Sequence, residues 1–118
     1  MSTFTNSSSR TFVAAADIAI GIRVKLNANV NEVAIAGATE DYVGVTETPV
    51  ASGRAVSVRL KNSGGTAHFI AGGAFAYGAS VYGIAAGKVD DISSGNVLVG
   101  TALKAASSDG SIVEVLLA

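Results

Sequence analysis

The chain contains no cysteine and no tryptophan, and only one proline, one methionine and one histidine. Without cysteine there is no disulfide framework and no thiolate metal site. This suits a protein made in a reducing cytoplasm, though it fits any redox setting. With His68 as the single histidine, paired-imidazole metal sites and His-rich clusters are excluded. Charge is scarce as well, at 14% of residues, where about a quarter is usual. Eight Lys and Arg stand against nine Asp and Glu, for a net charge of −1. The basic footprint of a nucleic-acid binder is missing. No apolar run is long enough for a membrane-spanning helix. The first ten residues have neither the basic start nor the apolar stretch of a secretion signal.

What is present is a chain of 118 residues, the length of one domain of about 100–150 residues. Apolar residues make up 49% and aromatics only 6%, so the apolar mass is small: 21 alanines and 15 valines. A mean hydropathy of +0.48 argues against disorder. A surface this poor in charge is either rich in small apolar side chains or partly covered by a partner.

Residues 1–10 are Ser, Thr and Asn-rich, and Phe4 is their one apolar side chain after Met1. We read them as a flexible N-terminal arm that either frays or orders on a partner. Residues 11–118 read as a single β domain. Ile22, Val24 and Leu26 alternate with Arg23 and Lys25, and Val56, Val58 and Leu60 alternate with Ser57, Arg59 and Lys61. Val113 and Val115 flank Glu114 in a last run. Period two places one face on a core and the other in solvent. Glycine-bearing breaks such as Ser52-Gly53, Ser63-Gly64-Gly65 and Asp109-Gly110 punctuate the strands. The Ala-rich stretch from Val13 to Ile20 is the main helical rival, allowing at most a turn or two before Gly21.

The pattern also repeats. Gly21 and Val24 recur 57 positions later as Gly78 and Val81, and Val56, Val58 and Leu60 recur as Val113, Val115 and Leu117. Val43-Gly44 recurs 56 positions later as Val99-Gly100. Ordered spacing of this kind indicates duplication, with units 21–61 and 78–118. The expected fold is therefore all-β: a small antiparallel β-barrel or sandwich built from two duplicated halves closing one core. The two Val-x-Val-x-Leu strands are expected to point inward as counterparts.

Constellations that carry catalysis are not evident. No Gly-x-Ser-x-Gly elbow accompanies the 13 serines. His68 reads as a structural or interface histidine, with a titrating switch as its sharper alternative. Asp90-Asp91 and Glu40-Asp41 read as solvated turns, since adjacent carboxylates on a strand point to opposite faces. Gly72 to Gly78 lacks the Gly-x-Gly-x-x-Gly spacing of a phosphate loop. Arg54, Arg59 and Lys61 form the one basic cluster, either a solvated strand face or a salt-bridging interface. Tyr42, Tyr77 and Tyr82 are candidate interface anchors. No cofactor is implied.

Several of these segments resemble a known family. Val43-Gly44-Val45, a short polar loop ending Ala51-Ser52-Gly53-Arg54, and the strand Ala55 to Leu60 look like the capsid decoration, or cement, proteins of tailed-phage heads. Ser80-Val81-Tyr82 with Gly87-Lys88-Val89 is similar, as is Val99 to Leu103 followed by Asp109-Gly110 and Val113 to Leu117. The resemblance covers roughly residues 16–118. Ser80 stands where the family often has Pro, and Thr101 where it often has Val.

The resemblance implies a homotrimer on the outer surface of the virion, clamping the expanded head by bridging major capsid protein subunits. It implies no nucleic-acid or membrane partner and no enzymatic activity. On this reading, Thr3, Phe4, Thr5, Asn6 and Arg10 of the arm are the capsid-binding candidates. Phe69, Phe75, Tyr77 and Tyr82 are the trimer-interface candidates. The alternative is a carbohydrate- or surface-binding β module of a phage fibre or bacterial surface protein.

Overall fold

The computed structural model describes residues 9–118. Ten strands run in the order β1 (Ser9–Ala14), β2 (Arg23–Leu26), β3 (Glu32–Ile35), β4 (Gly44–Thr46), β5 (Ala55–Leu60), β6 (Thr66–Ile70), β7 (Ser80–Gly83), β8 (Val89–Asp90), β9 (Leu98–Ala102) and β10 (Ile112–Leu117). The described residues hold one 3₁₀ turn, Ala85–Gly87, and no α-helix. The Ala-rich stretch after Val13 is extended rather than helical. Its backbone is claimed by neighbouring chain: Ala15 N–H donates to Val33 O, and Ile18 exchanges hydrogen bonds with Val50.

β1 to β5 close a barrel in the order β1-β3-β2-β4-β5. The closing pair is β1 with β5, antiparallel from Ser9↔Arg59 to Val13↔Ala55. All its pairs are antiparallel except β1 with β3, where Val13↔Glu32 and Ala14↔Val33 run parallel. Closure leaves no long free edge on this half. β6 to β10 form a second sheet in the order β6-β10-β9-β7-β8. Its two ends approach through one parallel bridge, Ala71↔Val89.

The orders are the same once β1 is matched to β6, β2 to β7, β3 to β8, β4 to β9 and β5 to β10. Details repeat as well. Ile18 bridges Val50 in the first half, and Phe75 bridges Ala106 in the second. Gly53 N–H donates to Ala14 O and Gly110 N–H to Ala71 O, both at 2.8 Å. Gly21 and Gly78 both take positive φ, +77° and +84°, where a glycine avoids the Cβ penalty.

Closure occurs within a half rather than across the two, and each half has a core. Phe12, Ile22, Val24, Val33, Val56 and Val58 fill the first. Phe69, Phe75, Val81, Val99, Val113 and Val115 fill the second, joined by Ala36, Tyr42 and Val45 from the first half. The inward strands are those expected: Val58, Val113 and Val115 are fully buried, and Leu60 and Leu117 pack at the edges of their cores. The two halves lie end to end in a body of 45 × 26 × 24 Å.

Candidate functional site

Alternation on β2 predicts that Arg23 faces solvent. It does face out of the first barrel, alongside Val45 on β4, its register partner. That side is covered by the second half, so Arg23 is fully buried while Leu26 is 63% exposed.

The guanidinium ties the halves together through backbone carbonyls. Nε donates to Lys88 O at 3.2 Å and Nη2 to Ile84 O at 2.7 Å, both in the second half. Nη2 also reaches Gly37 O at 3.1 Å, and Nη1 reaches Glu40 O at 3.4 Å, in the first. Five donors in a planar fork suit such a ring of acceptors. Burial lowers the Arg23 pKa, while Tyr42, Asp41 and Glu40 act in the opposite direction.

Tyr42 completes the junction. Its ring meets Phe69 edge-on, with centroids 6.4 Å apart, and lies under Arg23 at 5.6 Å and Lys61 at 5.4 Å. Burial pushes its phenol up to about 12. The exposed turn before it holds two ion pairs, Glu40 with Lys25 and Asp41 with Lys61. These hydrogen bonds hold both carboxyls below their usual range.

Asp90 departs from the solvated turn expected of it. Asp91 is exposed, but Asp90 is buried, next to Val89, which holds the position matching the core residue Val33. Its Oδ1 accepts from Asp91 N–H at 2.8 Å. Desolvation raises its carboxyl pKa. His68 is exposed on β6, opposite Glu114 of β10. Of the basic cluster, Arg54 is exposed, Arg59 donates to Gly64 O, and Lys61 pairs with Asp41. Among the described residues, no three His, Asp or Glu side chains gather as a metal site would require.

Of the arm candidates, Thr3, Phe4, Thr5 and Asn6 lie outside the described residues. Arg10 is no arm residue: it sits on β1, paired with Val58, and β1 begins one residue earlier, at Ser9. Its guanidinium covers the Phe12 ring at 4.6 Å and donates to Asn31 Oδ1 at 2.7 Å.

Of the trimer candidates, Phe69 and Phe75 belong to the second core and present no ring to a neighbour. Tyr77 is 71% exposed on the loop before β7. Tyr82 is half-buried on β7, opposite Leu98 and Asp90. Among the described residues, the most exposed large aliphatic side chain is Val30, at 88%, near the tip of the β2–β3 hairpin. Sequence reasoning singled out neither Arg23 nor Val30. Nothing local marks a side chain whose partners are distant carbonyls.

A family model described as phage cement protein matches residues 5–117. No curated protein matches the chain. Among solved structures, the chain is similar to the head fiber gp8.5 N base of bacteriophage phi29, with a TM-score of 0.76 and 18% identity over 93% of this chain and 92% of that one. At that identity the likeness is one of fold.

Proposed function

Because the chain belongs to the phage cement protein family, structural components on the outer surface of the head, we propose that it binds there as a homotrimer. In this reading it bridges neighbouring major capsid protein subunits and stabilises the expanded shell. The observation that carries the reading is the family match along nearly the whole length of the chain. Exposed apolar side chains on both halves, Val30 on the first and Tyr77 on the second, support it.

The mechanism is physical. Packed DNA strains the shell where subunits meet, and a bridging protein adds buried area at those seams. An interface of standard size buries about 1,600 Å². Many copies on one lattice, each holding more than one subunit, turn modest single contacts into firm decoration. Thr3, Phe4, Thr5 and Asn6 remain the proposed capsid-binding segment, adding backbone hydrogen bonds along a sheet edge of the capsid protein. Arg10 drops out, since its side chain is engaged within its own chain.

A carbohydrate-binding surface would call for neighbouring exposed aromatics. Tyr77 is exposed, whereas Tyr42 is buried and Tyr82 half-buried. The test is co-sedimentation of the purified protein with undecorated expanded heads. Saturable binding that raises the heat resistance of the heads is expected. Absence of binding, together with binding on a glycan array, would overturn the reading.

A further inference from the structure

The contact that joins the two halves has both of its sides repeated, unpartnered, elsewhere on the molecule. One side is a row across the outer face of the first barrel: Arg23 on β2, Val45 on β4 and Arg59 on β5. The matching row on the second half is Ser80 on β7, Thr101 on β9 and Leu116 on β10, in the same pairing. The first row is covered by the second half, as the burial of Arg23 and Val45 shows. The second row is open: Leu116 is 45% exposed and Ser80 is exposed. The loop glycines beside the rows agree. Gly21 is buried, and a Cβ on it would lie 3.3 Å from Ile70 of the second half. Gly78 has nothing within 4 Å of that position.

The other side of the internal contact is the β7–β8 connection, where Gly83 and Gly87 press on Arg23 and Ile22 of the first half. Its counterpart is the β2–β3 hairpin, where Leu26 stands for Gly83 and Asn31, like Gly87 at positive φ, stands for Gly87, with Val30 beside it near the tip. Leu26 is 63% exposed and Val30 88%.

The chemistry on these open copies runs opposite to that of a free surface. The covered face carries the buried Arg23 and the half-buried Arg59, with Glu47 exposed at its margin. The open face has Ser80, Leu116 and Leu103 in those places, next to Tyr77 in place of Ile20. The hairpin likewise has Leu26 where the covered version has Gly83, and carries Val30 near its tip. Charge has been removed from the second-half face, and apolar side chains stand on both surfaces that solvent would reach, which marks them as a mutual interface.

We propose that the protein associates head to tail with itself. The β2–β3 hairpin of one copy, through Leu26 and Val30, packs on the Ser80–Thr101–Leu116 face beside Tyr77 of the next, repeating between chains the step made within one. The single backbone bond from Ile70 N–H to Gly21 O has no counterpart, because Val13 N–H already donates to Asn31 O. The contact between chains therefore rests on apolar side chains. Such a heterologous contact closes as a ring or runs on as a filament, and a ring is what a homotrimer requires. This inference rests on the self-assembly part of the reading above and not on the shell.

The absence of cysteine allows a direct test. Full-length Leu26→Cys and Ser80→Cys proteins are mixed and oxidised, with Ser52→Cys in place of Leu26→Cys as control. A disulfide-linked pair is expected from the first mixture and not from the control, and a chain carrying both cysteines should give closed covalent rings. Light scattering should show the parent as an oligomer, and Val30→Asp or Leu116→Asp as monomers with unchanged melting temperature. A monomeric parent overturns the proposal, as does equal cross-linking in the control. An oligomer unmoved by both Asp variants, with no specific disulfide, shows that copies associate through another face. Co-sedimentation of the monomeric variants with heads then reports separately on head binding.

Discussion

Arg23 fits where it does because residue 83 is glycine: a Cβ at Gly83 would overlap the guanidinium carbon. The two residues come from different halves, so the fit between them fixes how the halves meet. Arg23→Ala should strip several carbonyls of a charged donor, at about 1–3 kcal/mol for each buried acceptor left unpaired. A loss of at least about 3 kcal/mol is expected in urea melts. Arg23→Lys should not restore it, because a single ammonium cannot span the same fork of acceptors. Gly83→Ala should destabilise in the same way as Arg23→Ala, and the two losses should fall well short of additive.

Val58 and Val115 hold matching positions in the two cores, and both are fully buried. Asp at either site would bury an unpaired charge, which costs several kcal/mol, comparable to the whole stability of a small domain. Neither Val58→Asp nor Val115→Asp should give a cooperative thermal transition. A parental melt for either would mean that the strand face is reversed.

Asp90 makes stability depend on pH in a stated direction. Its folded pKa is raised above the ordinary carboxylate value, so the folded state disfavours the charged form. The penalty is full above the raised value, fades as pH falls through it, and is gone below the unfolded value of about 3.9. Asp90→Asn should therefore melt higher than the parent at neutral pH and lose that advantage in acid. An advantage that is constant across this range would refute the assignment.

The exposed pair Lys61–Asp41 lies within 2.8 Å, yet exposed pairs contribute at most about 1 kcal/mol. Lys61→Met should change the unfolding free energy by no more than that, with a smaller difference in high salt. A larger effect would show that Lys61 supports Tyr42 through its ring rather than through Asp41.

Truncation separates arm from strand. Removing residues 2–8 should leave the melting temperature unchanged, since Phe4 is the one large apolar side chain among them. Removing residues 2–10 also deletes the first two rungs of β1, Ser9↔Arg59 and Arg10↔Val58, and the bond from Arg10 to Asn31. A further loss of roughly 1 kcal/mol or more is expected, the scale of one net hydrogen bond. Equal melts for both truncations would show that β1 needs no anchor before Thr11.

The Val-x-Val-x-Leu strands and the glycine turns were legible because their burial follows alternation alone. The repeat was legible from Gly21 onward, but its first strand was not. β1 and β6 share only Phe12 with Phe69 and the alanines that follow, Ala14 and Ala71, and β1 starts inside a segment that reads as an arm. Arg23 escaped because alternation reports which side of a strand a residue faces, not whether that side is later covered. Asp90 escaped for the complementary reason: a carboxylate after Lys88-Val89 looks solvated, and only the folded chain brings Gly73 against it. The burial of Phe75 was not legible because an aromatic in a glycine-rich connection serves a core as readily as a surface, as Phe75 does and Tyr77 does not.

The cores are unequal in what they lend. The second takes in Ala36, Tyr42 and Val45 from the first half, whereas the first takes only the edge of Ile70 from the second. A ribosome would therefore release a self-sufficient object first. Once Leu60 has emerged, both closing strands are available and the barrel can form, with Tyr42 and Val45 already displayed on its outside. The later strands then condense on a finished template. Cut between Lys61 and Thr66, the same chain would yield fragments of unlike fate: an N-terminal piece that folds by itself, and a C-terminal piece left with an incomplete core and a tendency to aggregate.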